Sequence, residues 1–247
     1  MSHAMPPIRP EEGKRAEVAA MFDRIAPRYD LLNRVLSLGI DVTWRKAAVR
    51  TLRRRLSGRH PDELLDVATG TADLAIELLK LEPARVVGLD PSVGMLELGL
   101  QKITSKGLDH RIELIEGASE ELPLPANRFS GATVAFGVRN FEDLDAGLRE
   151  INRVLIPGAP LVVLEFSRPQ GAIFGPLFSF YFGKVLPRIG RVVSGDASAY
   201  TYLPESVASF PDGEAFLKVM EGAGFVSTER RKLTFGIATL YSGLASA

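Results

Sequence analysis

Cysteine is absent from the 247 residues, and histidine occurs only at His3, His60 and His110. The first absence excludes disulfides, thiolate metal ligands and a cysteine nucleophile. It leaves the compartment open, although a reducing cytoplasm is compatible with it. The three histidines show no metal-ligand spacing, so no metal is expected. An excess of charge is missing too, because 30 Lys+Arg balance 30 Asp+Glu. That balance argues against a nucleic-acid partner, which would need a basic stripe to neutralise phosphates. The local exception, Arg50, Arg53, Arg54, Arg55 and Arg59, reads better as a solvated helix face. Long apolar runs are also lacking. The best candidate, Gly171 to Ile189, is broken by Pro176, Lys184 and Pro187 and falls short of a membrane span. Residues 1–10 are polar and Pro-rich, with no apolar segment of the signal-peptide kind. The expected location is cytoplasmic.

What is present is an ordinary globular composition, 46% hydrophobic and 24% charged, on a chain long enough to bury its own core. The first sixty residues read as helices and form an N-terminal segment. Val18, Met21, Phe22 and Ile25 recur at helical spacing until Pro27 interrupts. A second segment runs from Arg28 to Leu38, and Asp41 is the expected N-cap of a third containing Trp44, Ala47, Val49 and Leu52. From residue 61 short apolar strands alternate with helices. Strands are expected at Leu64–Ala68, Arg85–Leu89, Ile112–Ile115, Gly131–Phe136 and Leu161–Phe166, with helices at Ala72–Leu81, Val93–Ser105 and Leu144–Leu155. This rhythm predicts an α/β fold, a doubly wound, mostly parallel sheet covered on both faces. Residues 171–211 break it with aromatics, Gly and Pro, and read as a lid insertion. A helix at Asp212–Gly224 follows, then strands at Phe225–Arg231 and Phe235–Tyr241, expected as an antiparallel pair at the sheet edge.

Open parallel sheets bind ligands at the carboxyl ends of their strands. The first such end reads Asp66-Val67-Ala68-Thr69-Gly70-Thr71-Ala72-Asp73. The second ends at Asp90, twenty positions after Gly70, where a carboxylate can accept from the two ribose hydroxyls of an adenosine. A dinucleotide would need a glycine-rich turn for its pyrophosphate, and this loop has one glycine flanked by Asp66 and Asp73. Carboxylates repel a pyrophosphate and favour a sulfonium and an α-amino group. With Gly88-Leu89-Asp90 and Gly117 to Pro123, the loop resembles the first motif of Rossmann-like class I methyltransferases, with Ala68 and Ala72 where many relatives carry glycine. The expected cofactor is S-adenosylmethionine. A plain strand-to-helix turn at Thr69-Gly70, and a helix-capping role for Asp90 before Pro91, are the alternatives.

After the fourth strand comes Ala135-Phe136-Gly137-Val138-Arg139-Asn140-Phe141, without the Asp/Asn-Pro-Pro-aromatic tetrapeptide of amino-directed nucleic-acid methyltransferases. Met21 to Lys46, MFDRIAPRYDLLNRVLSLGIDVTWRK, resembles the N-terminal signature of the ubiquinone/menaquinone biosynthesis C-methyltransferase family. Phe136 to Asn140, Arg153 to Gly158 and Leu164-Glu165-Phe166-Ser167 resemble its second signature. Leu186 to Gly190, Asp196, Tyr200 to Leu203, Glu205-Ser206, Ala223 to Phe225 and Leu233 to Gly236 resemble its later motifs. The likeness runs from about Val18 to the C-terminus.

The resemblance implies methyl transfer from S-adenosylmethionine to a ring carbon of a prenylated naphthoquinol or benzoquinol. The form Leu36 to Lys46, LSLGID-x-x-WRK, resembles menaquinone-only relatives and favours demethylmenaquinol. The cofactor is expected against Asp66, Thr69, Gly70, Asp90, Ala118, Ser119 and Ala135. Relatives often carry Asn-Ala at 118–119, and some carry Ser at 135; a backbone contact to adenine survives either change, whereas a side-chain contact at Ala118 or Ala135 does not.

Chemically, the acceptor hydroxyl must lose its proton so that the ortho carbon becomes nucleophilic, and free phenols ionise near pH 10. Arg139 is the first candidate to stabilise the phenolate or orient a water, with Asn140 and Asp143 completing the network. Tyr29, Asp196, Tyr200 and Tyr202 are expected to line the acceptor pocket. An ion pair of Arg139 with Glu142 or Asp143, and simple packing of Tyr200 and Tyr202, are the competing readings. Phe174, Phe178, Phe180, Tyr181 and Phe182 suit a channel for the prenyl tail or a transient membrane contact through Lys184 and Arg188. A homodimer stays open. Another lipid-like acceptor is the runner-up; a nicotinamide dehydrogenase or a non-catalytic cofactor-binding regulator fits less well.

Overall fold

The computed structural model describes residues 13–37, 39–169 and 198–246. Seven strands form one sheet: β1 (Glu63–Val67), β2 (Arg85–Asp90), β3 (Ile112–Glu116), β4 (Gly131–Ala135), β5 (Pro160–Phe166), β6 (Phe225–Leu233) and β7 (Ala238–Ala245). Their spatial order is β3-β2-β1-β4-β5-β7-β6. The first five run parallel, and β7 enters antiparallel between β5 and the edge strand β6. The order reverses at β1 and β4, which puts the switch point at the loops after β1 and β4.

The parallel strands are apolar at nearly every position because both faces are covered. Leu65, Val67, Val87, Leu89, Val134 and Val163 pack under α5 (Leu144–Val154) and α7 (Glu214–Gly222). Leu64, Val86, Val162 and Leu164 point to the other layer, made by α2 (Ile40–Leu56), α3 (Asp73–Leu78) and α4 (Val93–Ser105). Side-chain alternation thus assigns each residue to one of two cores. A third, smaller cluster joins α1 (Lys14–Leu36) to α4 and α6 (Ser198–Ser209) through Met21, Ile25, Ala26, Met95 and Leu203.

Three local expectations change. Pro27 does not interrupt the first helix, which continues to Leu36 as one element. A helix-interior proline costs about 3 kcal/mol. Tertiary anchors on both sides of it offset that cost: Asp23 accepts from Ser92 and Gly94, and Asp30 from Thr71 and Lys102. Asp41 is not the N-cap of α2. Gly39 occupies that position at φ 76°, and the Asp41 carboxylate instead takes Ser37 Oγ at 2.7 Å and Arg45 Nη2 at 2.6 Å. The last strand begins at Ala238, because Thr234–Gly236 forms a tight turn with Phe235 at φ 57°.

The basic run along α2 and just after it lies at the surface but is not idle. Arg53 donates to the Lys80 carbonyl, Arg55 to the Ser227 carbonyl and Arg59 to the Gly158 carbonyl, while Arg54 pairs with Glu229. No helix among the described residues is long and apolar enough to cross a membrane.

Candidate active site

A cleft of about 660 Å³ opens over the carboxyl ends of β1, β2 and β4. Its walls come from Val67, Ala68 and Gly70 after β1, and from Asp90, Pro91 and Met95 at the β2–α4 junction. Ala118, Ser119 and Glu120 follow β3, and Ala135, Phe136, Gly137, Asn140 and Phe141 follow β4. Helix α1 closes the remaining side with Val18, Phe22 and Tyr29.

The cofactor half is built on Asp90. Its Oδ2 accepts from the Gly70 amide at 2.8 Å and its Oδ1 from the Ser92 amide at 2.9 Å. The carboxylate therefore ties the β1 loop to the start of α4 and still lines the cleft. Burial raises its pKa to about 6, against those two amide bonds, which lower it. The β1 loop needs three left-handed residues in five: Ala68 at φ 55°, Gly70 at φ 54° and Ala72 at φ 64°. This is the backbone reason that glycine suits positions 68 and 72.

Asp66 and Asp73, expected beside the sulfonium, do not line the cleft. The Asp66 carboxylate accepts from Thr69 Oγ1 and Thr133 Oγ1, both at 2.7 Å, and locks the loop to β4 from beneath. Burial raises its pKa to about 6. Thr69 spends its hydroxyl on that bond. Asp73 pairs with Lys102 at 2.6 Å and Arg45 at 3.1 Å. Lys102 also reaches Asp30 at 2.7 Å, so α1, α2, α3 and α4 meet in one charged network below the cleft. Gly70, Asp90, Ala118, Ser119 and Ala135 do line it.

On the acceptor side, Asn140 lines the cleft and accepts from Tyr202 Oη at 3.0 Å. Tyr29 lines it as well, and burial raises the pKa of both tyrosines. The competing ion pair of Arg139 with Glu142 or Asp143 is not formed. Arg139 Nη1 pairs with Glu165 Oε1 at 2.8 Å, with side chains 6% and 0% exposed, and also binds the Phe136 carbonyl. Its Nε donates to Ser206 Oγ at 3.3 Å, and its guanidinium stands 5.7 Å from the Phe166 ring. It is not among the cleft-lining residues. Asp143 is the N-cap of α5, its Oδ1 accepting from the Ala146 amide at 2.9 Å, and is exposed. It does not line the cleft. The Tyr200 side chain, Asp196 and the aromatic run from Phe174 lie outside the described residues.

Sequence reasoning placed Tyr29 of α1 at the site but missed Glu165 and the other α1 residues of the wall, Val18 and Phe22. A carboxylate near the end of the all-apolar strand Leu161–Leu164 was the available signal for the first. For the second it was Phe22 and Tyr29, seven apart and so on one helix face.

The cleft fits S-adenosylmethionine in its chemistry. It offers a buried acceptor at Asp90 for a ribose diol. Its wall by the β1 loop is free of bulk at Gly70, where an added Cβ would come within 3.9 Å of Tyr29.

Comparison with known proteins gives the same answer. The model of the ubiE/COQ5 methyltransferase family matches residues 11–245. A demethylmenaquinone methyltransferase of Deinococcus radiodurans is 50% identical over 239 residues, 96% of each chain. A ubiquinone/menaquinone biosynthesis C-methyltransferase, UbiE, of Geotalea daltonii is 47% identical over 93% of this chain and 97% of its own. Among solved structures, a SAM-dependent methyltransferase of Thermotoga maritima superposes with a TM-score of 0.64 at 19% identity, covering 92% of this chain and 99% of its own. That likeness speaks for the fold. The chain belongs to the ubiE/COQ5 methyltransferase family and is an S-adenosylmethionine-dependent C-methyltransferase.

Proposed function

We propose that this enzyme methylates a ring carbon of a prenylated quinol, with demethylmenaquinol as its acceptor. The carrying observation is the change in character across one cleft. Asp90 ends β2, while Asn140, bonded to Tyr202, follows β4. With β1 between them in the sheet, those strand ends stand about 10 Å apart. A nucleoside held at Asp90 then leaves its sulfonium near the β1–β4 switch point, facing the Asn140–Tyr202 pair. Phe22, Phe136 and Phe141 supply an apolar wall suited to an aromatic ring. The wall contributed by α1 supports a role for the N-terminal helices in holding the acceptor.

The cofactor supplies an electrophilic methyl group on a cationic sulfur. Asn140, Tyr202 and Tyr29 would hold the acceptor hydroxyl. Arg139, behind them, supplies positive charge that favours the phenolate. Gly70, Asp90, Ala118 and Ser119 would hold the cofactor, which would supply its methyl group to the ring carbon and depart as a neutral thioether, the displaced ring proton passing to water. Positioning carries much of the rate.

The test is transfer of labelled methyl to reduced demethylmenaquinone, beside a demethoxylated benzoquinol precursor. Label in the naphthoquinol supports the assignment, and label in both makes the enzyme serve two pathways. Label in neither, with cofactor bound, removes the quinol reading.

A further inference from the structure

We propose that Glu165 is a positioning residue for the acceptor side, holding the Arg139 guanidinium in place and offsetting its charge at the Tyr202–Asn140 pair. The inference rests on the acceptor reading above, but its physical content concerns this chain's own side chains.

Glu165 lies near the carboxyl end of β5, fully buried, where an apolar residue would continue the strand pattern Leu161 to Leu164. A lone carboxylate there would be costly, and it is kept by a dense set of bonds. Oε1 accepts from Arg139 Nη1 and from the Phe166 amide, both at 2.8 Å. Oε2 faces the Arg139 amide at 3.4 Å. The same side chain therefore grips Arg139 by backbone and by guanidinium, fixing the turn that carries Asn140 next to it. Arg139 in turn reaches α6 through Ser206, one turn after Tyr202. Strand β5, the turn after β4 and helix α6 are joined through this one pair.

A purely structural ion pair would explain the bonds but not their place. Replacing a buried pair by apolar side chains is often neutral for stability, so stability alone is a weak reason for a carboxylate here. Its position beside a cation near the acceptor hydroxyls has a chemical consequence. An unpaired guanidinium would acidify those hydroxyls strongly, whereas a guanidinium bonded to a carboxylate keeps only part of that effect. The charged groups that bear on Tyr202 are Arg139, which lowers its pKa, and Glu165, which raises it. Arg139 acts likewise on Tyr29 of α1, which also feels Asp90 and Arg45, and Glu165 acts on Tyr241 of β7.

The test is Glu165→Gln, which keeps the shape and an acceptor oxygen but removes the charge. Tyrosinate absorbance is titrated in the full chain and in Glu165→Gln, each with and without Tyr202→Phe, to isolate Tyr202. The expected result is a Tyr202 midpoint lower by about one pH unit. The rising limb of the pH profile for methyl transfer to reduced demethylmenaquinone moves the same way, and the cofactor Kd changes less than twofold. An unchanged midpoint, with only a lower Tm, would reduce Glu165 to a structural residue and overturn the proposal. Should the wild type leave the naphthoquinol unmethylated, the acceptor reading fails while the Tyr202 titration still decides the role of Glu165. Should Glu165→Gln not fold, Glu165→Asp carries the test. It keeps the charge but draws it back by one methylene, and it is expected to lower the kcat of methyl transfer about tenfold without changing the cofactor Kd. Full kcat in Glu165→Asp overturns the proposal.

Discussion

Gly137 and Ala68 meet back to back where β4 and β1 end, and a Cβ on Gly137 would lie 2.3 Å from the Cβ of Ala68. The two loops that frame the cleft therefore fit only because one of the pair lacks a side chain. The Gly137 backbone, at φ −115°, would accept alanine without strain, so any penalty there is steric. Ala68 sits at φ 55°, a left-handed conformation that costs an L-residue about 1–2 kcal/mol. Gly137→Ala is expected to destabilise by about 1–3 kcal/mol, as overpacking does. Ala68→Gly in the same chain removes both the clash and the strain and is expected to restore the melting temperature. Thermal melts of the two singles and the double check this. A double variant no more stable than Gly137→Ala would show that the contact is not the cause.

Asp23 gives the second prediction, because it pins the wall of the cleft. Its Oδ1 accepts from Ser92 Oγ at 2.6 Å and from the Gly94 amide at 2.9 Å, joining α1 to the start of α4. Phe22 and Tyr29 reach the cleft from the same helix. Losing two hydrogen bonds at a solvent-accessible site costs about 1 kcal/mol, about fivefold in an equilibrium constant. Asp23→Ala is expected to raise the Kd for S-adenosylmethionine about fivefold in titration calorimetry, with a Tm change of a few degrees. An unaltered Kd would mean that α1 is held without this anchor.

How far the sequence reached depends on whether neighbours in the chain or neighbours in space decide a residue's role. The parallel strands were legible because Leu64-Leu65 or Val162-Val163 must each be buried, one to each face, and composition alone reveals that. Asp90 was legible because the strand that carries it places it beside the β1 loop, twenty positions back. The partner of Arg139 was not. Glu142 and Asp143 are close in the chain, but a 3₁₀ turn over Val138–Asn140 carries the guanidinium toward β5, and β5 lies beside β4 in the sheet. Pro27 misled for the same reason: propensity ends a helix there, and the contacts of Asp23 and Asp30 override it.

The third prediction concerns pH. Burial raises Asp90 and Asp66 from an ordinary carboxylate value of 3.8 to about 6 in the folded chain. Between pH 6 and pH 3.8 the folded form thus binds more protons than the unfolded one. The contribution of these two groups to stability is greatest at low pH and is lost as pH rises through that window. Cofactor binding runs the opposite way, since the ribose hydroxyls need an ionised acceptor at Asp90. The Kd for S-adenosylmethionine is expected to be flat above pH 7 and to rise about tenfold per unit well below pH 6. Calorimetry across pH 5 to 8 checks it, with Asp90→Asn expected to bind weakly at every pH. A wild-type Kd independent of pH would remove Asp90 as the ribose acceptor.

Ala118 gives the last prediction, because it lines the cleft with a side chain that cannot form a hydrogen bond. Ala118 and Ser119 both line the cleft on the loop after β3, and a bridge between Ala118 and Glu121 holds that loop in a tight turn. If an adenine ring lies against this turn, a methyl side chain gives it packing but no hydrogen bond. The Ser119 hydroxyl and the backbone of the turn between Gly117 and Glu121, whose own amides donate to the Asp90 and Ala118 carbonyls, are then the polar groups left to meet it. Adding one acceptor next to an exocyclic amino group is worth about 0.5–1.5 kcal/mol net. Ala118→Asn is therefore expected to tighten S-adenosylmethionine about threefold to tenfold and S-adenosylhomocysteine equally, since the two share the adenine. The kcat for methyl transfer stays unchanged, because an interaction made equally in ground and transition states cannot raise it. Calorimetry with both ligands decides it. Equal affinity in Ala118→Asn and the wild type would place the adenine away from position 118, on Ser119 and the backbone alone.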